Sequence, residues 1–389
     1  MKRLSILLGS LLVVGAVSYA KEAVVAPVIV EESKEVIVAP VIVEEEPGFR
    51  PSGYVDLQYR YYGKTENQEN LGIDPDNTEG LVDPMNNGGN QRGRLQLAGR
   101  IQMTEKEKFE FRVRDWRSWR ENDKASSTAG TETRLRYYYD HGQYADGKID
   151  VASRIQYRSR GQINVQDAEY TLRLNFAKYL PEAVKDFTLA PGYMYSWNND
   201  NEDNYFNKLG LDLYTYTLLP YGFEFEFNVY AGQFFYGRDQ VYNYTTAASA
   251  SYADQLAGAK NDPNAKIKDK NFELAVEAYI YKTINLYTDN TWTFDFNFEG
   301  GYDPYLWSQQ KKVSTTFYDN NVKYVKRDQN SSYSLYMTPN VTANYKVTEN
   351  LKVYAGIGAE YRNWNVEAQK DASDWRWQPQ AWAGMKATF

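Results

Sequence analysis

Residues 380–389 read QAWAGMKATF, and the fold turns on how they are read. Taken at every second position, Ala381, Ala383, Met385, Ala387 and Phe389 fall on one face of a strand, while Gln380, Trp382, Gly384, Lys386 and Thr388 fall on the other. One face suits lipid and the other suits water. A soluble β-sandwich can also end on such a strand, so the rest of the chain has to decide.

The same period of two recurs upstream. In YVDLQYRYY (54–62), Val55, Leu57, Tyr59 and Tyr61 alternate with Asp56, Gln58 and Arg60. RLQLAGRIQM (94–103), FEFEFNVYA (223–231) and WTFDFNFEG (292–300) repeat the scheme, each close to the ~9–11 residues of a tilted membrane strand. Fourteen such segments are predicted, near 53–62, 93–103, 109–120, 132–141, 147–158, 168–177, 187–197, 206–217, 223–235, 271–282, 291–302, 332–345, 350–362 and 376–389. Twelve or sixteen strands also fit, because boundaries read from sequence err by ~2–4 residues.

The connections TEKEK, GQYAD, LLPYG, TINLYTD and KVTE are short, whereas 63–92, 236–270 and 303–331 are long and polar. Short turns alternating with long loops are the organisation of an outer-membrane barrel. A soluble sandwich or propeller needs no such alternation, and its strands run to ~5–6 residues. The expected fold class is therefore all-β: a transmembrane antiparallel β-barrel over 51–389, with short periplasmic turns and long extracellular loops. QAWAGMKATF becomes its closing strand. Ala383, Met385, Ala387 and Phe389 resemble the C-terminal assembly signal of bacterial outer-membrane proteins. Membrane lipid and the assembly machinery are thus expected partners.

The chain opens with MKRLSILLGSLLVVGAVSYAKE: basic Lys2 and Arg3, an apolar stretch from Leu4 to Val17, and small residues at Ser18 and Ala20. This is the pattern of a secretory signal peptide over 1–20, cut after Ala20. The apolar stretch falls short of the ~20 residues of a spanning helix. With no cysteine, neither a lipid-modified N-terminus nor a disulfide framework is available. Over 21–50, VAPVIVEE occurs at 25–32 and again at 38–45. Pro27 and Pro40 interrupt pairing and the Glu clusters favour water, so the segment reads as an extended periplasmic leader.

Composition agrees. Aromatic residues make up 16% of the 389, with 35 tyrosines, and a mean hydropathy of −0.67 excludes a bundle of membrane helices. A barrel with a wet interior needs apolar residues only at alternate positions. The net charge of −7 argues against a nucleic-acid partner, which calls for a basic excess.

The polar face of the predicted strands is segregated by sign. Strands two to five place Arg94, Arg100, Arg112, Arg114, Arg134, Arg136, Arg154 and Arg158 inward, and strands nine to eleven place Glu224, Glu226, Glu273, Glu277, Asp295 and Glu299 inward. In a fourteen-strand barrel a basic wall then faces an acidic wall across water. Such a transverse field orients dipolar solutes, and the near balance of signs predicts weak ion selectivity. Local Arg–Glu ladders that only support the sheet are the simpler alternative. Tyr214, Tyr216, Tyr230, Tyr279 and Tyr281 share the inward parity and read either as a sugar-binding track or as girdle and loop-base residues.

Catalytic and metal chemistry is poorly supplied. His141, the only histidine, falls in a predicted turn, and there is no Gly-rich phosphate loop or HExxH. No enzyme activity, cofactor or metal is expected. The Asn-x-Ser/Thr triplets at Asn243, Asn330 and Asn340 carry no glycosylation signal in a bacterial outer membrane.

Several blocks also carry a family likeness. GYVDLQYRYYGKTEN, GRLQLAGRIQMTEKEKFEFRVR, PGYMYSW (191–197), NFEGGYD (297–303), LKVYAGIGAEYRN (351–363) and WRWQPQAWAGMKATF (375–389) together resemble the major outer-membrane porin of fusobacteria, the FomA type. The likeness is dense in the strands and loose in the long loops and in 21–50. It implies a trimeric, voltage-gated general diffusion porin of the outer membrane that also serves in adhesion to host or bacterial surfaces, with no catalytic residues. The sequence reading is therefore a passive channel for small hydrophilic solutes and ions. The alternative is a surface adhesin anchored by its barrel, with the loops binding.

Overall fold

The computed structural model describes residues 49–63, 66, 92–118, 130–161, 163–319, 322–363 and 375–389. The expected signal peptide, its cleavage point at Ala20, the 21–48 part of the leader and most of the 63–92 loop lie outside these residues. Strands β1 (Ser52–Tyr62), β2 (Arg92–Gln102), β3 (Glu107–Ser118), β4 (Gly130–Tyr144), β5 (Ile149–Arg160), β6 (Val165–Asn175), β7 (Val184–Asn198), β8 (Tyr205–Leu219) and β9 (Phe223–Tyr242) follow one another as antiparallel neighbours. A short β10 (Tyr244–Ala247) leaves the sheet, which resumes with β11 (Lys266–Thr288) and β12 (Trp292–Ser308). Beyond a hairpin of β13 (Val313–Asp319) and β14 (Val322–Gln329) come β15 (Ser331–Met337), β16 (Asn340–Thr348), β17 (Leu351–Asn363) and β18 (Trp375–Thr388).

β18 pairs with β17 on one side and with β1 on the other, from Tyr54↔Thr388 to Tyr62↔Gln380. Backbone bonds from Gly53 N to Phe389 O (2.9 Å) and from Phe389 N to Gly53 O (3.1 Å) complete the seam. The sheet is a closed antiparallel barrel of fourteen strand positions. Every predicted barrel strand is present.

One of them is broken. The expected strand 332–345 divides at Thr338 and Pro339 into β15, which pairs with the far half of β12, and β16, which pairs with its near half. Proline offers no N–H to a ladder, so the ladder lapses there. The Thr338 amide still reaches Glu299 O at 2.7 Å, and the Ala359 amide reaches Pro339 O at 3.2 Å.

The alternation decides the two faces. Ile155, Leu211, Leu286 and Met385 lie on the outer side and are exposed, and Ile357 there is 68% exposed. A soluble monomer rarely shows so large a contiguous apolar surface. Around a barrel it is the band that lipid covers. The polar partners of these residues turn inward, where Arg154, Asp167, Asp212 and Gln378 are buried.

The connections differ from expectation where strands outrun the membrane. TINLYTD was expected as a turn, but β11 continues to Thr288, because Ile284↔Phe296 and Thr288↔Thr293 extend the register. The true turn is 289–291, where Asp289 accepts the amides of Trp292 and Thr291 at 2.7 Å each and the Tyr287 hydroxyl at 2.8 Å. Those donors hold the Asp289 carboxyl below the usual carboxylate range. The ordering of the turn is therefore present at neutral pH and lost only as pH falls through this lowered value.

The long segments 236–270 and 303–331 are not simple loops. β9, β11 and β12 run to 20, 23 and 17 residues, about twice what a membrane requires, so the wall stands tall on this side. Above it, β10 pairs with β14 and β14 with β13, joining the two segments into one small sheet. Helix α1 (Tyr252–Lys260) accompanies it, capped by Ser251, whose hydroxyl accepts the Asp254 amide at 3.2 Å.

Asn271, fully buried, locks this superstructure to the barrel. Its Nδ2 donates to Ser308 Oγ at 2.7 Å and to Glu273 Oε1 at 2.9 Å, and its Oδ1 accepts the Gln310 amide at 3.0 Å. Asn271→Ala leaves buried partners unsatisfied, at a cost of about 1–3 kcal/mol. The expected outcome is faster limited proteolysis within 309–330 while the heat-resistant gel mobility of the barrel is retained.

Candidate functional site

The interior is built by register. β2 to β5 bring all eight predicted arginines to the inner face of adjacent strands, with Arg112, Arg134 and Arg158 directly opposite one another in a single row. Like charges so placed repel unless something intervenes. Carboxylates the sequence reading left out of the wall do so at its edges. Glu110 pairs with Arg100 at 3.0 Å, Glu132 with Arg112 at 2.6 Å, Glu169 with Arg154 at 2.9 Å, and Asp167 with Arg158 at 2.8 Å and Arg160 at 3.0 Å. Arg114 and Arg136 donate instead to Gln96 (2.7 Å) and Gln156 (2.6 Å). Arg134 has no carboxylate at ion-pair distance among the described residues. The arc is thus net basic and only partly compensated, with Arg100, Arg112, Arg154 and Arg158 ion-paired among the described residues.

β9, β11 and β12 carry the predicted acids, and here the partners are hydroxyls and amides. Tyr216 donates to Glu224 at 2.6 Å, Tyr230 to Glu277 at 2.9 Å, and Tyr236 to Glu273 at 3.1 Å. Lys312 adds an ion pair to Glu273 at 2.5 Å. Asp295 accepts from Asn285 (3.0 Å) and Asn344 (3.4 Å), Glu226 sits in register between Tyr216 and Tyr279, and Glu299 accepts from Tyr336. The inward tyrosines 216, 230 and 279 thus spend their hydroxyls on carboxylates, Tyr279 on Asp303 at 3.1 Å. The centres of the two arcs stand six to seven strand positions apart in the ring of fourteen.

Between the arcs lies a cavity of about 360 Å³ whose lining comes from β1, β2, β11, β12, β15, β16, β17 and β18. It holds residues that the sequence reading did not single out: Arg60, Trp382, Asp303 and Glu360. Alternation had already placed Arg60 and Trp382 on the polar face, but their meeting depends on the pairing of β1 with β18, which sequence spacing does not give. Trp382 lies flat against the partner strand, and a Cβ on Gly356 would sit 2.4 Å from its ring. Arg60 lies over that ring at 4.5 Å. Behind the cavity, buried Arg362 is held by Glu360, Ser334 and Asp303, the last at 3.3 Å.

His141 is not in a turn. It is the extra residue at the register shift between Asp140 and Gly142 in β4, and its Nε2 meets Ser153 Oγ at 2.7 Å. Among the described residues no cluster of three or more His, Asp or Glu side chains could hold a metal ion.

Fold and interior together define a transmembrane β-barrel with an apolar outside and a charged, hydrogen-bonded inside. No protein-family model matches the chain, and no curated protein matches it. Among solved structures it is similar to outer-membrane-expressed OmpT of Vibrio cholerae, with 8% identity over 87% of this chain and 97% of that one and a TM-score of 0.33. It is also similar to the outer-membrane channel DcaP of Acinetobacter baumannii (10%, 87% and 96%, 0.35) and to an anion-selective porin from Comamonas acidovorans (8%, 87% and 99%, 0.35). Likeness at these levels carries no argument, and the function has to come from the interior itself.

Asp167 is the most enclosed of the wall carboxylates, 1% exposed, and it accepts from both Arg158 and Arg160. Asp167→Asn leaves two guanidiniums without their anion. The expected loss is about 2 kcal/mol, the scale of hydrogen bonds to charged groups, read as a lower denaturant midpoint of the folded barrel.

Proposed function

We propose that the protein is an outer-membrane porin, a water-filled channel through which small hydrophilic solutes and ions pass down their gradients without energy coupling. The observation that carries this reading is a closed fourteen-strand ring whose inner face bears arginines on one arc and carboxylates on the opposite arc. A barrel that served only as an anchor needs no segregated charge across its interior. The arginine wall would be lined by Arg94, Arg100, Arg112, Arg114, Arg134, Arg136, Arg154 and Arg158, and the acidic wall by Glu224, Glu226, Glu273, Glu277, Asp295 and Glu299. Selectivity would be weak because the basic arc carries its own carboxylates.

The trimer implied by the family resemblance belongs to the same proposal. A shallow outward groove where Tyr59, Tyr61, Phe294 and Ile357 surround Ala343, Ala355, Ala381 and Ala383 offers a lipid-level contact face. Adhesion by the loops is the second reading. The observation that favours it is that 236–270 and 303–331 share one folded sheet above the barrel, a surface on which binding residues could be fixed.

Single-channel recording of the refolded barrel in a planar bilayer under a salt gradient tests the channel. Large steps with a small reversal potential are the expected outcome, and silence from demonstrably folded barrels turns function to the loops. Replacing Arg112, Arg134 and Arg136 together by Glu should move the reversal potential toward cations, and an unmoved potential removes these residues from the conducting wall. Gly356→Ala should displace the Trp382 ring and lower the unit conductance, with Trp382→Ala in the same chain restoring it.

A further inference from the structure

One row of the inner face sets two opposed arginines between two tryptophans. Across β18, β1, β2 and β3 the register runs Trp382, Arg60, Arg94, Trp116. Two guanidiniums stand directly opposite each other, which is unfavourable in a sheet, yet among the described residues neither has a carboxylate at ion-pair distance. Arg60 lies over Trp382 at 4.5 Å and donates to Gln380 at 3.3 Å. Arg94 lies over Trp116 at 5.3 Å and Tyr62 at 5.7 Å and donates to Gln58 at 3.4 Å. Aromatic faces position a guanidinium without neutralising it. The forked donors remain the kind that hold a carboxylate with two bonds.

Both arginines line the 360 Å³ cavity, and so does Glu299, whose partner is the neutral Tyr336 hydroxyl. Glu360 and Asp303 also line it but share Arg362. The cavity therefore presents charged groups of both signs on different strands, with Arg60, Arg94 and Glu299 in no contact ion pair among the described residues. A plain anion would be drawn to the arginines and repelled by Glu299, and a plain cation the reverse. A solute carrying one carboxylate and one ammonium group meets both demands.

We propose that this cavity is a binding subsite for zwitterions of amino-acid or dipeptide size, with the carboxylate on Arg60 and Arg94 and the ammonium group toward Glu299. The proposal rests on the channel reading above and names the solute class that the channel would favour. A volume of about 360 Å³ is at the lower end of small-molecule sites, which suits a solute of this size.

The test is flux through the full-length barrel reconstituted in liposomes, comparing glycylglycine with arabinose, a neutral solute of similar size, with acetate as the anion control and salt current recorded in parallel. The glycylglycine to arabinose ratio is expected to fall roughly threefold, the scale of ion pairs formed beside water, both in Arg60→Gln with Arg94→Gln and in Glu299→Gln. It should be retained in Arg60→Lys with Arg94→Lys, which keeps the charge and guards against a folding defect. An unmoved ratio with salt current present overturns the subsite alone. A ratio that responds to the arginines but not to Glu299, with acetate following it, makes the site a simple anion site and also overturns the proposal. Absence of salt current from folded barrels overturns the channel and the subsite together.

Discussion

The constraint on which the structure depends is that a strand in lipid has no water for its unpaired amides and carbonyls. Every ladder must find a neighbour, and the last strand must find the first. Here that requirement is met at one seam, where β18 runs beside β1 and Phe389 exchanges backbone bonds with Gly53. Once the ring is closed in this register, the rest is fixed by parity. Shifting β18 by one residue would turn Met385 and the alanines into the lumen and Lys386 and Gln380 into lipid. The alternation of QAWAGMKATF is thus a statement about which register is affordable.

Parity also explains why the interior can hold so many ionised groups. A charge buried in a soluble core must be paired or give up its charge, but the inner face of a ring that encloses a cavity is under a weaker demand. The basic arc still shows the cost of crowding, since Glu110, Glu132, Asp167 and Glu169 are threaded among the arginines. On the acidic arc the same crowding is relieved by tyrosine hydroxyls, which donate without cancelling the charge. The two arcs are therefore asymmetric in kind, one partly compensated by ion pairs and the other held mainly by hydroxyl donors, with Lys312 on Glu273 as its ion pair.

Much of this was legible in the sequence. Period-two alternation located each barrel strand because lipid on one face and water on the other is the simplest pattern a sheet can write. What it did not contain was anything that depends on a partner far away in the chain. TINLYTD looked like a turn because its residues are mixed, and only its register with β12 makes it a strand. The 236–270 and 303–331 segments looked like loops because β10 is four residues long and has no meaning until β14 lies beside it. Pro339 lies inside the expected strand 332–345, and β12 is what lets the two halves of the broken strand share one place in the ring.

Arg60 shows where local reading stops and the closed ring takes over. Its parity was clear from YVDLQYRYY, yet nothing near it in sequence marks it as different from a ladder arginine. Its neighbours in space are Trp382, more than three hundred residues away, and Arg94 from the following strand. The seam that closes the barrel is therefore also what assembles the row of two tryptophans and two arginines. Opening β1 from β18 would remove the aromatic support of Arg60 and one flank of the cavity at once. The backbone requirement that closes the sheet and the side-chain arrangement that gives its interior a chemistry are thus consequences of the same pairing.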